Sequence, residues 1–179
     1  MRVVAGKVRG LTLKTLEGDS TRPTRDMVRE ALFSILMNQI PGCTFLDLFA
    51  GSGAIGIEAL SRGASKACFG DLNREAIQVI KANLEKARMT SDAEVLQGDY
   101  LTILDRLKSN KFDVIFIDPP YHNGMGVAAI DKVSQLGLLN ADGVIVYETD
   151  TDEEAPEEIG SYKRYDYRKY GRNRLNFYC

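Results

Sequence analysis

The chain has 179 residues, of which 44% are hydrophobic and 27% are charged, and its net charge is −2. This length suits one domain with a sizeable core. No apolar run approaches the ~20 residues that cross a bilayer, and no signal-peptide pattern is visible, so we expect a cytoplasmic protein without a membrane partner. The three cysteines are scattered and the one histidine is isolated. We therefore expect neither a disulfide framework nor a metal site.

The charges are unevenly distributed along the chain. Residues 1–30 hold seven Lys or Arg against four Asp or Glu, and residues 161–179 hold six against one. The stretch 150–158 carries six acidic residues and no basic one. Two basic ends are compatible with one positive face that binds nucleic acid, and equally with solvated surface segments. Charge by itself leaves a nucleic-acid partner open.

The predicted elements begin with a small hairpin over 3–15 and a helix after Pro23, with Thr24 as its N-cap and Val28, Leu32, Ile35 and Leu36 at helical spacing. Strand-like and helix-like stretches then alternate. The predicted strands are 44–49, 66–70, 93–97, 112–117 and 143–148, and the predicted helices are 54–62, 74–88, 101–108 and 127–136. Two further strands, 161–167 and 175–178, are expected to form an antiparallel pair around a turn at Gly171.

This alternation predicts the fold class. The strands are near-continuous apolar runs, which is typical of a parallel sheet buried on both faces. Strands that alternate with helices through short loops predict a doubly wound, Rossmann-like α/β domain. We expect residues 1–40 to form a hairpin-and-helix extension on a core of residues 41–179. Ligands in such a sheet bind beyond the carboxyl ends of the strands, so the residues there are the candidate site.

The first strand ends in a glycine-rich loop that opens a helix. Gly51, Gly53 and Gly56 fit a Gly-x-Gly-x-x-Gly pattern, which does not separate NAD from S-adenosylmethionine. Asp47, ahead of the glycines, suits the ammonium group of S-adenosylmethionine or the water around it. Its alternative role is a hydrogen bond to loop amides.

Two more aspartates stand at the following strand ends. Asp71 is placed to accept from both ribose hydroxyls, and Asp99 to accept from the adenine amino group. Their alternative role is to N-cap the next helix. Three aspartates around one glycine loop favour cofactor binding over the alternatives. The other residues predicted to bind the cofactor in these loops are Phe49, Ser52, Leu72 and Tyr100.

The fourth strand is followed by Asp118-Pro119-Pro120-Tyr121. Two prolines remove two N–H donors, so the backbone presents only acceptors there, which suits an exocyclic amino group as substrate. If Asp118 and the Pro119 carbonyl accept its two N–H bonds, the nitrogen can aim its lone pair at a methyl group. Tyr121 can stack on an extruded base. All four residues are predicted catalytic residues.

Together, these two loops resemble those of the amino-methyltransferases of adenine, cytosine and guanine. With the segments 2–10 and 21–33, the chain resembles the bacterial RsmD family of 16S ribosomal RNA (guanine-N2)-methyltransferases. The resemblance implies a class I methyltransferase fold of seven strands and a substrate presented on the small ribosomal subunit. It implies that residues 23–29 help to cover the cofactor, through Thr24 and Arg29, and it offers Arg9, Arg22 and Arg25 as RNA contacts.

One segment departs from the family, whose final hairpin usually reads Tyr-Gly-Asp-Thr. Here Tyr170-Gly171 is followed by Arg172-Asn173.

Four alternative functions remain. An adenine-N6 methyltransferase acting on RNA or DNA would use the same loops, although no separate target-recognition domain is visible. A glutamine methyltransferase would share the fold, but that resemblance favours Asn where Asp118 stands. A NAD-linked oxidoreductase would explain the glycines and leave residues 118–121 without a role. Nothing supports an RNA-binding module that has lost its activity, because every motif residue is present.

Overall fold

The computed structural model of the protein describes residues 1–17 and 23–179, with the backbone alone for Pro23 and Thr24. Its α-helices are α1 (Pro23–Ile35), α2 (Ala54–Ser61), α3 (Arg74–Ala87), α4 (Tyr100–Arg106) and α5 (Met125–Leu136). Its strands are β1 (Thr44–Leu48), β2 (Lys66–Asp71), β3 (Ala93–Gln97), β4 (Phe112–Ile117), β5 (Leu139–Asp150), β6 (Glu158–Ile159), β7 (Tyr162–Tyr170) and β8 (Asn173–Tyr178). A 3-10 helix, Thr90–Asp92, precedes β3.

The strands of the described residues form one sheet in the order β3-β2-β1-β4-β5-β8-β7-β6. The pairs from β3 to β5 are parallel, and those from β5 onward are antiparallel. The predicted doubly wound α/β fold and its antiparallel hairpin are therefore confirmed. The sheet has eight strands and not seven, because two residues, Glu158–Ile159, pair with the start of β7. A pair of residues is too short to produce a readable alternation.

Helices cover both faces of the sheet, which explains why its parallel strands are apolar throughout. One core joins α1, α2 and α3 to the face that carries Phe45 and Phe69. The other core joins α4 and α5 to the face that carries Ile115 and Tyr178. Each large apolar side chain buried in this way contributes about 1.5–3 kcal/mol relative to exposure. The strand order reverses between β1 and β4, which opens a crevice at their carboxyl ends.

The N-terminal segment forms a short hairpin, in which an isolated antiparallel bridge joins Arg2 to Thr12 and further backbone hydrogen bonds link residues 1–3 to residues 10–13. The buried carboxylate of Glu58 in α2 fastens this segment, because it accepts the backbone N–H groups of Val4 and Ala5 at 2.8 and 3.0 Å. A side chain of the core, and not strand pairing, satisfies these backbone groups.

Helix α1 begins at Pro23, so Thr24 lies within its first turn and is not the N-cap. Proline is favoured at the first helical position, because the backbone N–H that it lacks would have no hydrogen-bond partner within the helix there. Val28, Leu32 and the following Leu36 are buried as predicted, whereas Ile35 is 39% exposed. Within 1–17 and 23–179, no helix combines the length and apolarity needed to span a membrane.

Candidate active site

A cavity of about 480 Å³ lies at the carboxyl ends of the parallel strands. It brings together most of the residues predicted from the sequence. Those that line it from the first three strand ends are Phe49, Gly51, Ser52, Asp71, Leu72, Asp99 and Tyr100. Those from the fourth strand end and from α1 are Asp118, Pro119, Pro120, Tyr121, Arg25 and Arg29.

Some predicted residues lie elsewhere. Asp47 and Gly53 are buried outside the cavity lining. Arg9 is exposed and is not part of the lining. Arg22 and the side chain of Thr24 fall outside the described residues, so their predicted roles stay predictions.

Left-handed backbone angles shape the glycine loop. Gly51 and Gly53 have φ values of 56° and 79°, a region that favours glycine because it lacks a Cβ. Two strand-end carboxylates hold this loop. Asp71 Oδ2 accepts the N–H of Gly51 at 2.9 Å, and Asp47 Oδ2 accepts the N–H of Gly56 at 3.0 Å. The loop is thus fixed from two neighbouring strands.

Asp47 lies deeper than the sequence alone indicates. Asp47 is 1% exposed, and burial raises the pKa of its carboxyl from 3.8 to about 8. Burial has this effect because it disfavours the charged form. The bond to Gly56 is the loop-amide role that we weighed as the alternative, and direct contact of Asp47 with a cofactor stays a prediction.

Asp71 and Asp99 differ in their local contacts. Asp71 accepts the N–H of Asn73 at 2.9 Å, and it is Asn73, not Asp71, that caps α3. Asp99 caps α4, where it accepts the N–H of Leu101 at 2.9 Å. Each carboxylate oxygen has two lone pairs, so both side chains keep acceptor capacity toward the cavity.

Apolar side chains flank Asp99 at the cavity wall. The rings of Phe49 and Tyr100 lie 5.3 Å apart at an interplanar angle of 36°. Leu72 also lines the cavity, yet it is 69% exposed. An exposed leucine beside two aromatic rings forms an apolar slot that a flat heterocycle would cover.

Arg29 of α1 contributes a buried cation to the cavity lining. It is 3% exposed and donates from Nη2 to the Arg2 carbonyl at 2.6 Å and to Asp26 at 3.1 Å. Its Nε lies 3.9 Å from Glu58 Oε2 and has no hydrogen-bond partner among the described residues. The guanidinium group is thus paired with Asp26 and with the buried Glu58 carboxylate.

The Asp118–Tyr121 loop forms the substrate side of the cavity. Asp118 and the buried Pro119 follow β4 directly, and Tyr121 is 42% exposed. Burial, together with the nearby carboxylates Glu148 and Asp118, raises the pKa of Tyr121 above its usual value of 10, so its phenol stays neutral. The Tyr121 hydroxyl accepts a hydrogen bond from Asn173 Nδ2 at 2.8 Å.

Sequence reasoning missed several residues of this cavity. Glu148 lies two residues before the end of β5, is 8% exposed and lines the cavity, and burial raises the pKa of its carboxyl. Ligands bind beyond the carboxyl ends of parallel strands, and the predicted fifth strand, 143–148, ends at this residue, so the sequence does carry a signal for it. No local motif points to Met1, Asp26 or Met125, which also line the cavity.

The charge of the cavity separates two cofactor classes. Its lining carries the carboxylates Asp26, Asp71, Asp99, Asp118 and Glu148 against the guanidinium groups of Arg25 and Arg29, an excess of three acidic groups. Such a wall favours a cationic ligand and disfavours a pyrophosphate. Within the described residues, no group of three or more His, Cys, Asp or Glu side chains is arranged to hold a metal ion.

Comparison with known proteins shows that the chain is similar to methyltransferases. Residues 1–179 match the family described as Conserved hypothetical protein 95. Ribosomal RNA small subunit methyltransferase D of Haemophilus influenzae is 38% identical over 154 residues, which cover 85% of this chain and 80% of that protein. The protein of the same name from Escherichia coli strain K12 is 33% identical over 156 residues, covering 87% and 78%.

The solved structure of the Escherichia coli protein yhhF, assigned to the methyltransferases, superposes with a TM-score of 0.86 at 30% identity and covers 99% of this chain and 96% of that chain. The Rossmann-like methyltransferase fold and the family resemblance predicted from the motifs are therefore confirmed. This chain belongs to the family of Conserved hypothetical protein 95, which is the RsmD family of methyltransferases.

Proposed function

We propose that this protein transfers a methyl group from S-adenosylmethionine to the exocyclic N2 of a guanine in small-subunit (16S) ribosomal RNA. One observation carries the proposal. The glycine loop and Asp118-Pro119-Pro120-Tyr121 line the same cavity of about 480 Å³. A cofactor loop and an amino-group acceptor loop thus face one another across a space of the size that small-molecule sites have.

The cavity fits S-adenosylmethionine better than a dinucleotide. Its acidic excess matches a ligand that carries a sulfonium and an ammonium group, and the guanidinium groups of Arg25 and Arg29 supply positive charge for the ligand's carboxylate. We assign the ribose hydroxyls to Asp71 and the adenine amino group to Asp99, beside Phe49 and Tyr100. We assign Gly51, Ser52 and Leu72 to direct contact with the cofactor. We assign Asp47 and Gly53, which are buried outside the lining, to the support of the glycine loop.

When bound, S-adenosylmethionine supplies a methyl group that is already activated by its positively charged sulfur. The protein's task is to orient the base amino group, whose lone pair is delocalised into the ring. We assign the two N–H bonds of that group to the Asp118 carboxylate and the Pro119 carbonyl. Alignment of this kind can contribute up to ~7–11 kcal/mol. Asp118 then accepts the proton released from the nitrogen.

Tyr121 gives the extruded base a stacking surface, worth about 1–3 kcal/mol in proteins that bind single strands. It is neutral and half-exposed, which suits stacking. Arg25 lines the cavity and is exposed, so we infer that it contacts RNA next to the target base. We extend the same role to Arg9 and Arg22, on the family resemblance alone.

The relatives named for the small ribosomal subunit lead us to propose a substrate presented on that subunit. We place this activity in the cytoplasm, where such a substrate occurs. We also propose that residues 1–179 work as one domain, in which residues 1–40 extend a catalytic core of residues 41–179. The Glu58 carboxylate supports this, since it ties the N-terminal segment to α2.

The test is methyl transfer from labelled S-adenosylmethionine to small ribosomal subunits that lack their base methylations. The modified nucleoside is identified after digestion, with Asp118→Ala as the comparison. We expect N2-methylguanosine with the wild-type protein and a loss of about 10²–10⁴-fold in rate with the variant. Asp142→Ala, an exposed carboxylate on β5, is the matched control and should keep the wild-type rate.

Other products would contradict parts of the proposal. Methyladenosine would keep the reaction and overturn the base assignment. No transfer despite tight cofactor binding would point to DNA or protein as substrate. An increase in melting temperature with NADH and none with S-adenosylmethionine would overturn the cofactor, because only a ligand that binds the folded state stabilises it.

A further inference from the structure

We propose that Asn173, from the β7–β8 hairpin, is a positioning residue that fixes the ring of Tyr121 for the incoming base. The inference rests on the proposed function of the Asp118–Tyr121 loop. It adds a residue that is distant from that loop in sequence and is part of no motif for the site.

A chain of hydrogen bonds carries the inference. The Nδ2 group of Asn173 donates one N–H to the Tyr121 hydroxyl at 2.8 Å and the other to Glu148 Oε1. An amide nitrogen has two N–H donors, so both are used. The amide nitrogen thus faces Tyr121 and Glu148, which both line the cavity. The amide bridges the Tyr121 loop to β5.

The base of this bridge is rigid. Asn173 is the first residue of β8 and pairs with Asp150 of β5 and with Tyr170 of β7. Glu148 is 8% exposed and lies within the same β5 strand, near its end. Both groups that hold the bridge thus stand on paired strands, and side chains on such elements are placed more precisely than side chains on loops.

The bridge has a consequence for Tyr121 itself. The residue lies in a loop between β4 and α5, and 42% of it is exposed, so packing fixes only part of its ring. The bond to Asn173 holds the hydroxyl end and reduces the rotamers open to the ring before the base arrives. Conformational entropy that the ring has already given up in the free protein is not lost again when the base binds, which is the benefit of a preorganised site.

The expected kinetic effect follows from this role. Phosphate contacts dominate the affinity of proteins for nucleic acids, so the KM for RNA should change little when the bond is removed. The ring must then be ordered on the way to the transition state, so kcat should fall. A net hydrogen bond corresponds to about a threefold to tenfold change in rate.

The experiment is a double-mutant cycle on methyl transfer to small ribosomal subunits with wild-type, Asn173→Ala, Tyr121→Phe and doubly substituted proteins, assayed well below their melting temperatures. Each single change removes the bond between Asn173 and Tyr121, and Asn173→Ala also removes the bond to Glu148. We expect each to lower kcat about threefold to tenfold, with KM values for RNA and cofactor within about twofold. Asn173→Ala should lower kcat by a smaller factor in the Tyr121→Phe background than in the wild-type protein, because only the bond to Glu148 is left to lose there.

Two results would overturn the proposal: an equal loss from Asn173→Ala in both backgrounds, or a wild-type kcat for Tyr121→Phe. The second result is informative even if Asn173→Ala does not fold. Arg172→Ala is the control on the neighbouring turn residue, whose side chain is 87% exposed, and it should keep the wild-type kcat.

A measurement without substrate separates this proposal from the proposed function. In protein labelled with 3-fluorotyrosine, the ¹⁹F resonance that is missing in Tyr121→Phe belongs to Tyr121. We expect Asn173→Ala to shift or broaden that resonance and Arg172→Ala to leave it in place. An unchanged resonance would overturn the anchoring by Asn173. Absence of methyl transfer by the wild-type protein would instead overturn the proposed function, while this spectrum still decides the anchoring.

Discussion

The Oδ2 atom of Asp71 accepts the backbone N–H of Gly51 at 2.9 Å. This bond joins the end of β2 to the loop that follows β1. A carboxylate that we assign to the ribose of the cofactor therefore also holds the glycine loop. A change at Asp71 acts on cofactor binding in two ways.

Replacing Asp71 by Ala should weaken binding of S-adenosylmethionine about 10- to 100-fold, because hydrogen bonds to a charged group contribute about 1.5–3 kcal/mol. Isothermal titration calorimetry measures the dissociation constant. Asp142→Ala removes an exposed carboxylate elsewhere and should leave that constant unchanged. Equal affinities for Asp71→Ala and the wild-type protein would remove Asp71 from the cofactor site.

Replacing Asp47 by Asn should change the pH dependence of stability. The pKa of Asp47 is about 8 in the folded protein, above its ordinary 3.8, so the unfolded chain releases this proton first as the pH rises. The stability of the wild-type protein falls over that interval. An amide in its place does not titrate, and its oxygen can still accept from Gly56.

Relative to wild type, Asp47→Asn should therefore be more stable at pH 8.5 than at pH 5, by at least about 1.4 kcal/mol, the equivalent of one pKa unit. Urea unfolding at both pH values gives the two free energies. The exposed Asp142→Asn serves as a control and should show the same difference from wild type at both. A constant difference for Asp47→Asn would mean that Asp47 is ionised in the folded protein.

Replacing Glu58 by Ala should destabilise the protein by about 3–5 kcal/mol, the usual cost of leaving buried charges without a partner. Glu58 is fully buried, and Arg62 Nε donates to it at 2.8 Å. Denaturant unfolding measures the loss. The exposed Glu85→Ala on α3 should cost far less. A similar small effect at both positions would show that Glu58 does not fasten the N-terminal segment.

Replacing Gly56 by Ala should destabilise the packing of α2 on the sheet by about 1–3 kcal/mol. A Cβ at this position would lie 2.3 Å from Cε1 of Phe69, closer than side chains approach one another. The third glycine of the pattern is thus required by helix–strand packing, and not by a turn. Thermal unfolding measures the effect.

The companion variant is Phe69→Leu, which shortens the side chain that the new methyl group would meet. Gly56→Ala should cost less in the Phe69→Leu background than in the wild-type protein. Additive losses would show that the strain arises elsewhere.

The sequence by itself determined the alternating elements, the parallel sheet and the edge of it that carries the site. These follow from local rules, because apolar runs mark strands buried on both faces and glycine or proline marks the loops between elements. The same rules placed Asp71, Asp99, Asp118 and Tyr121 at strand ends that meet at one edge. All four line the cavity.

Only the tertiary structure decided the depth and the distant partners of these residues. Asp47 follows the same strand-end rule, yet it lies beneath the loop, because burial depends on what packs above a residue. Glu148 and Asn173 come together through strand pairing between β5 and β8, which β6 and β7 separate in the chain. Glu58 of α2, which is distant in sequence, holds the N-terminal segment against the core. Contacts between segments far apart in the chain arise from packing, and no local pattern encodes them.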